Sequence, residues 1–367
     1  MSPTQKLGKL AVFGRALNRS GTLKKLVGFI SIMVWWAVSV FSAHAVEKSP
    51  VILPLDMDGL KTELTMVRGM ARGKEKSDRV WPVKVTYEHE TYDFRDNVFH
   101  REMKTVEIEK KPSRIIPHAV GVAEILWAIC PRERIVAFNE FSADPEFCFI
   151  ADAVKKRGPV FKSKQTELVI GFQPDLVFMV FYSGSAFREK LNQAKIPYFD
   201  LGYFGTIGSI KKQILLIGKI IGEEENAEEL VKTINRSMSK IQKMLPVLDS
   251  PKRVLYYDEG GYIPGKISNF NSICDIIGAV NVGGEQGVKS WTQVDNETLL
   301  SWNPDIIIVP TGSGLKDQLM ADKVLSYSNA VKHNKIYEIP GVYLRVDSQF
   351  ILLSANLLAG IVYENEF

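Results

Sequence analysis

Glu167-Leu-Val-Ile-Gly-Phe-Gln-Pro174-Asp175-Leu-Val-Phe-Met179 returns about 130 residues later as Glu297-Thr-Leu-Leu-Ser-Trp-Asn-Pro304-Asp305-Ile-Ile-Ile-Val309. In both stretches a Glu stands seven residues before the Pro-Asp pair, an amphipathic turn or two lies between, and an unbroken aliphatic run follows. Each reads as a short helix stopped by proline and then a buried strand. The separation is too wide for a stacked solenoid repeat, so the echo implies two lobes built on one plan. Two like lobes imply a cleft between them, where small ligands bind.

Around this pair the chain alternates strand and helix. Arg114-Ile-Ile-Pro117 opens the series. A helix is expected over 119–129, a strand over 134–138, a helix over 145–156, a strand over 176–181, a helix over 185–193 and a strand over 197–201. Such alternation with short polar turns gives parallel sheet with helices on its faces. A helix over 207–221 ends at Gly222, and Glu223-Glu-Glu opens another with acids at its positive end. There Ala227, Leu230, Val231, Ile234, Met238, Ile241 and Leu245 form one apolar stripe, so one stiff helix is expected to cross from lobe to lobe. After Pro251 the alternation restarts: strands over 253–257, 306–309 and 336–339, a helix over 270–278 and a closing helix over 348–363.

The expected fold class is therefore α/β, two βα lobes with parallel sheets joined by one long rigid helix. The boundaries are 1–45 signal peptide, 46–112 extension and hairpin, 113–222 first lobe, 223–248 linking helix and 249–367 second lobe. Period-two alternation at Val83-Lys-Val-Thr-Tyr87 and Thr105-Val-Glu-Ile-Glu109 marks the hairpin. Residues 46–80 read as a charged, irregular stretch that is partly disordered.

The 367 residues, 46% hydrophobic and 24% charged, exclude disordered and collagen-like classes. The net charge of +4 resides in residues 1–45, which hold six basic groups and no acid; the rest counts 40 basic against 42 acidic residues. A near-neutral body has no electrostatic footprint for nucleic acid. Lys24-Lys25, the apolar run from Leu26 to Phe41 and Ala43-His44-Ala45 read as a secretory signal cleaved after Ala45. The alternative is an uncleaved anchor, since about 16 apolar residues approach the lower limit of a membrane span. No cysteine follows the run, so a soluble periplasmic protein is expected rather than a lipid-anchored one. Cys130, Cys148 and Cys274 are expected as buried free thiols, with a Cys130–Cys148 disulfide as the alternative.

Arg114-Ile-Ile-Pro with Ala123-Glu-Ile-Leu126, both Pro-Asp strands, Gly278-Ala-Val-Asn281 and Trp291-Thr-Gln-Val294 before Glu297 together resemble class III periplasmic substrate-binding proteins of ABC importers. The resemblance runs in order over about residues 83–367 and rests on spacing rather than on one motif. It implies a ligand held between the lobe tips, a small closing motion, and an iron-siderophore, haem or cobalamin as cargo. It also implies docking on a permease of the inner membrane through one carboxylate from each lobe.

Ligands of parallel α/β lobes meet the loops at the carboxyl ends of strands. The candidates there are His118, Phe161 with Lys162, Tyr182 with Ser183-Gly-Ser185, Tyr203 with Phe204, Glu259 to Tyr262, Trp291, Thr311-Gly-Ser-Gly314, and Tyr343-Leu-Arg345. Aromatic and cationic loops suit a bulky metal complex with some negative charge. The resemblance makes Trp291 a cleft tryptophan, Phe161 a stacking residue, and Tyr343 and Arg345 a ligand-binding aromatic and arginine. Where haem-binding relatives carry a ligating tyrosine this chain has Phe161, which argues against simple haem transport. His118 reads either as a metal ligand or as a hydrogen-bonded structural histidine. With only His118 and His333 in the lobes, the histidine cage of a zinc site is lacking. No protein-bound metal or cofactor is expected; the ligand carries the metal.

For docking, Glu189 is the first-lobe candidate although its register is off by several residues. Gly265-Lys-Ile-Ser268 offers no acid, which leaves Glu259 or Asp258 in the second lobe. The main reading is a monomeric, non-enzymatic binding protein for a ferric siderophore or similar chelate. Its alternatives are a corrinoid or haem binder and a periplasmic sensor. A nitrogenase-like oxidoreductase would need cluster cysteines that three scattered ones do not supply, and Thr311-Gly-Ser-Gly314 lacks the lysine of a phosphate loop.

Overall fold

The computed structural model describes residues 54–66, 79–93, 96, 98–364 and 366. The expected export signal lies outside them, and among the described residues no helix is long and apolar enough to cross a membrane.

The first described element differs from expectation. Within the stretch read as partly disordered, Met57–Thr65 forms helix α1, opened by Asp56, whose carboxylate accepts from the Gly59 N–H at 2.7 Å. Leu60 and Leu64 are buried. Strands β1 (Val83–Asp93) and β2 (Val98–Ile108) then make the hairpin, antiparallel from Val83 opposite Ile108 to Asp93 opposite Val98.

The first lobe holds β3 (Ile115–Pro117), α2 (Val120–Ile129), β4 (Phe138–Asn139), α3 (Ala151–Arg157), β5 (Val160–Phe161), α4 (Thr166–Gly171), β6 (Leu176–Met179), α5 (Ser185–Gln193) and β7 (Tyr198–Asp200). The strands pair in parallel as β3-β6-β7 and β4-β5, and a parallel bridge between Ile115 and Ile135 links the two sets. Strand β1 of the hairpin runs beside β7 in the same direction. The Tyr87 and Phe199 rings lie 4.5 Å apart, and three residues further along β1 Glu90 O accepts from Tyr203 N at 2.8 Å, four residues beyond Phe199. Its tip is therefore carried to the carboxyl end of the sheet. Gly202 permits this approach: at φ +71° a side chain there would meet Glu90 O at 2.2 Å.

Helix α6 (Ile207–Ile221) is bounded by a Thr206–Ser209 capping box and by Gly222 at φ +70°. Helix α7 (Glu224–Met244) follows, 21 residues and so about 32 Å long at 1.5 Å per residue. Its Ala227, Leu230, Ile234 and Ile241 are buried along one stripe. The second lobe holds β8 (Arg253–Tyr256), β9 (Tyr262–Pro264), α8 (Asn269–Ile276), β10 (Val280–Asn281), β11 (Trp291–Gln293), α9 (Asn296–Trp302), β12 (Ile306–Pro310) and β13 (Ile336–Ile339), closed by α10 (Ile351–Val362). Its sheet is parallel in the order β10-β8-β12-β13, and β9 with β11 forms an antiparallel ribbon.

The echoed phrase is a clasp between neighbouring strands. Asp175 accepts from the Ser113 and Arg114 N–H groups at 2.8 and 2.9 Å, and Asp305 accepts from the Arg253 N–H at 2.9 Å. Arg114 Nε returns a hydrogen bond to Gln173 O at 3.0 Å, and Arg253 Nη1 one to Asn303 O at 2.8 Å. Gln173 and Asn303, each directly before the proline, both take a left-handed turn at φ +48° and +46°. Pro-Asp thus ties the inner strand of each lobe to the strand that began it.

Two expected elements differ. The 134–138 strand shrinks to Phe138–Asn139, and the helix expected from residue 145 begins at Ala151. Asp144 O accepts from the Phe147 and Cys148 N–H groups at 3.0 and 2.9 Å, and the Asp144 side chain accepts from Glu146 N at 3.0 Å, which holds turns in place of helix. Cys130, Cys148 and Cys274 are buried free thiols, so the alternative disulfide is absent.

Candidate ligand-binding site

Residues beyond the carboxyl ends of β7 and β13 reach the seam where the lobes meet. Two direct hydrogen bonds cross it near α6: Tyr203 Oη donates to Ile267 O at 2.8 Å and Ile207 N to Ser272 Oγ at 3.1 Å. A third set sits below α2. Glu124, 2% exposed, accepts from Phe149 N at 2.7 Å and from Ser348 Oγ at 2.5 Å, while Gln349 Nε2 donates to Glu124 O at 2.9 Å. Burial pushes the Glu124 carboxyl up to about 7, against the hydrogen bonds from Ser348 and Phe149 that favour its charged form. Asp347, raised by burial to about 6, lies so close to α2 that a side chain on Gly121 would meet its Oδ1 at 2.2 Å.

From the first lobe, Tyr182 follows β6 and keeps 42% of its surface accessible. Protein nevertheless crowds the phenol enough to push its pKa well above the ordinary value, by burial first and then by the Asp347 carboxylate. Tyr182 also meets the Phe181 ring at 5.0 Å, and Phe181 meets Tyr203 at 5.3 Å. Tyr203 itself is 8% exposed, packed by Tyr92 and Phe99 of the hairpin at 5.8 and 5.7 Å. It also walls a groove of about 540 Å³ between the hairpin and α6.

Two candidates of this lobe turn inward. Phe161 is 1% exposed and packs in the lobe core with Ile116, Val177 and Leu191, so its ring is not offered for stacking on a ligand. His118 is 8% exposed, bonded through Nδ1 to Ser183 Oγ at 3.0 Å, and 4.1 Å from the Phe187 ring. Burial lowers its pKa to about 4, so it is a neutral imidazole at pH 7.

The second lobe contributes a connected set. The half-buried Trp291 stands edge-on to Tyr256 at 5.6 Å, Tyr256 Oη donates to Asp258 Oδ2 at 2.7 Å, and Asp258 pairs with Arg345 at 3.1 Å. Asp258, weighed above as a docking acid, is thus an internal partner. Tyr262 is half-buried in the β9–β11 ribbon opposite Gln293. Tyr343 packs edge-on to Phe149 at 5.1 Å, with its pKa raised by burial and by Asp58 of α1, which places it at the seam. Among the described residues no group of three or more His, Cys, Asp or Glu side chains is arranged to hold a metal ion.

Phe141 and Phe147 were not singled out in the sequence. They form an edge-to-face pair at 5.0 Å beyond β4, with Phe141 38% exposed. The available signal was Phe141 standing three residues after the end of the expected 134–138 strand. Glu189 and Glu259 are both exposed carboxylates; Glu189 Oε1 accepts from Gln193 at 3.4 Å.

Two parallel α/β lobes, one linking helix and a seam lined by aromatic and ionic side chains define a binding protein of the two-lobe kind. Residues 119–343, more than half of the chain, match the family described as periplasmic binding protein, and the chain belongs to that family. It is 26% identical over 270 residues to YvrC, an uncharacterized ABC transporter substrate-binding lipoprotein of Bacillus subtilis, covering 71% of this chain and 83% of that one. It is 25% identical over 202 residues to the molybdate-binding protein MolA of Haemophilus influenzae, covering 48% of this chain and 57% of that one. Among solved structures, a Staphylococcus epidermidis protein described as a possible iron-binding, periplasmic solute-binding protein superposes with a TM-score of 0.61 at 23% identity. That alignment covers 69% of this chain and all of the other.

Proposed function

We propose that this protein is the substrate-binding component of an ABC importer, acting in the periplasm and delivering a compact metal complex to an inner-membrane permease. The cargo is a ferric siderophore or a similar chelate with anionic oxygen donors. What supports this reading is the family match together with an accessible Tyr182 just beyond a strand of one lobe and a connected Trp291–Tyr256–Asp258–Arg345 set in the other. Aromatic faces accept a flat or apolar ligand surface, and a guanidinium accepts anionic oxygen. The relative described as molybdate-binding favours a second reading on the same arginine, a small metal oxyanion. Glu189 and Glu259 remain the docking candidates, and the protein acts as a monomer with no catalytic step.

A thermal-shift screen of the purified protein against ferric siderophores, haem, cobalamin and molybdate tests this. A ligand at 100 times its Kd adds about 2.7 kcal/mol to stability. No stabilisation by any of the panel would count against the transport of a metal complex. Trp291→Ala and Arg345→Ala should each weaken the ligand found, by about tenfold or more; unchanged affinity would remove those side chains from the site.

A further inference from the structure

Arg345 reaches Asp258 through one terminal nitrogen, 3.2 and 3.1 Å from the two carboxylate oxygens. Charge-assisted bonds of this type are usually about 2.7–2.9 Å, and arginine binds carboxylates most firmly through two nitrogens in parallel. This pair has neither feature, so it is a loose one. Asp258 is held without it. Its Oδ2 accepts from Tyr256 Oη at 2.7 Å and its Oδ1 from Glu259 N at 2.8 Å. Its backbone N–H donates to Tyr262 O at 2.8 Å, and its carbonyl accepts from Gly261 N at 3.1 Å. The carboxylate therefore stays in place, hydrogen-bonded, when the arginine leaves. Side-chain exposures of 24% for Arg345 and 16% for Asp258 put the pair within reach of a ligand yet partly out of water.

We infer that Asp258 is the resting counter-ion of Arg345 and that an anionic oxygen of the cargo takes its place, so that Asp258 sets the charge the cleft selects. The inference rests on the proposed reading of the cleft as a site for complexes with anionic oxygen donors. A neutral complex gains nothing by opening the pair, whereas a catecholate or oxyanion must compete with a carboxylate that is already seated. The next aromatic surface along the network is Trp291, through Tyr256. A ligand that presents a ring beside a charged oxygen therefore meets both.

The test compares wild type with Asp258→Asn for three probes, a ferric tris-catecholate complex, molybdate and a neutral ferric trihydroxamate, by titration calorimetry. The expected result is about tenfold tighter binding of the anionic probe the protein takes, with the neutral complex changed less than twofold. The gain should vanish in the Asp258→Asn, Arg345→Ala double variant. Which anionic probe gains separates a catecholate donor from a free oxyanion. Wild-type binding of an anionic probe without a gain in Asp258→Asn would overturn the counter-ion role and leave the cleft reading standing. Binding of the neutral complex alone would overturn the displacement by an anion, again with a metal-complex cargo intact. Wild type that binds none of the three would bring down both. Should Asp258→Asn fail to fold, crystals of wild type with and without the anionic probe decide the matter. An Arg345–Asp258 contact still within 3.5 Å in the loaded protein would overturn the inference.

Discussion

The two lobes agree in their framework and differ at their tips. Both tie their inner strand to their first strand with a Pro-Asp clasp, an arginine returning a bond to the carbonyl two residues before the aspartate, and a left-handed residue between. Beyond the strand ends the likeness stops. The first lobe turns His118 and Phe161 into its core, whereas the second strings Trp291, Tyr256, Asp258 and Arg345 along the seam. Strand pairing demands the same backbone bonds in either lobe, and the loops beyond it are released from that demand.

The largest break comes at the seam, where neither lobe repeats the other. Gly121→Val would drive a side chain into Asp347, 2.2 Å from its carboxylate and 2.6 Å from its backbone carbonyl. Overpacking against backbone costs about 3 kcal/mol, and urea denaturation should show a loss of that order or no folded protein.

Next is the pH dependence of the same seam. Glu124 at about 7 and Asp347 at about 6 are raised above the ordinary carboxyl range, so the fold favours their neutral forms. Their stabilisation is complete below about pH 4 and is lost as pH rises through 6 and 7. Glu124, almost fully buried, accounts for about 3 kcal/mol of that loss at 1.36 kcal/mol per pKa unit. Denaturation between pH 5 and 8 should show stability falling, and Glu124→Gln should remove the part of the fall above about pH 6, where Asp347 has already ionised. An unchanged slope would place the titration elsewhere.

The clasps give a direct comparison of lobes. Asp175 accepts from two backbone N–H groups and the Ser113 hydroxyl, Asp305 from one N–H. Bonds to a carboxylate are worth about 1.5–3 kcal/mol. Asp175→Ala should cost about 3 kcal/mol and Asp305→Ala about 1.5 kcal/mol, and equal losses in denaturant would mean that the extra bonds of the first lobe carry no weight.

The clasps were legible because proline, aspartate and an aliphatic run are local signals. So were α5, α6 and β13, whose limits coincide with the expected ones. The segment 134–150 was not, because Asp144 holds turns within it and Glu124, outside it in sequence, bonds Phe149 N. Helix α1 was missed amid charged residues, although Asp56 with Leu60 and Leu64 carried a cap and a helical spacing. The aromatic candidates were found by position after strands, but burial decided among them. Nothing local distinguishes Phe161, at 1% exposure, from Tyr182, at 42%.

The smallest effect concerns the hairpin, which packs on the first lobe. Its tip packs Tyr92 and Phe99 on Tyr203, and the Tyr203 hydroxyl reaches across to Ile267 O at 2.8 Å. Tyr203→Phe keeps the ring packing and deletes that one bond, so the expected loss is about 1 kcal/mol. Because the ring still holds the hairpin, the loss should appear without a change in the spectrum of the folded state. If Tyr203 serves the seam and not the ligand, affinity for the cargo should move less than twofold; a larger drop would make its hydroxyl part of the binding surface and bring the hairpin lobe closer in role to the arginine lobe.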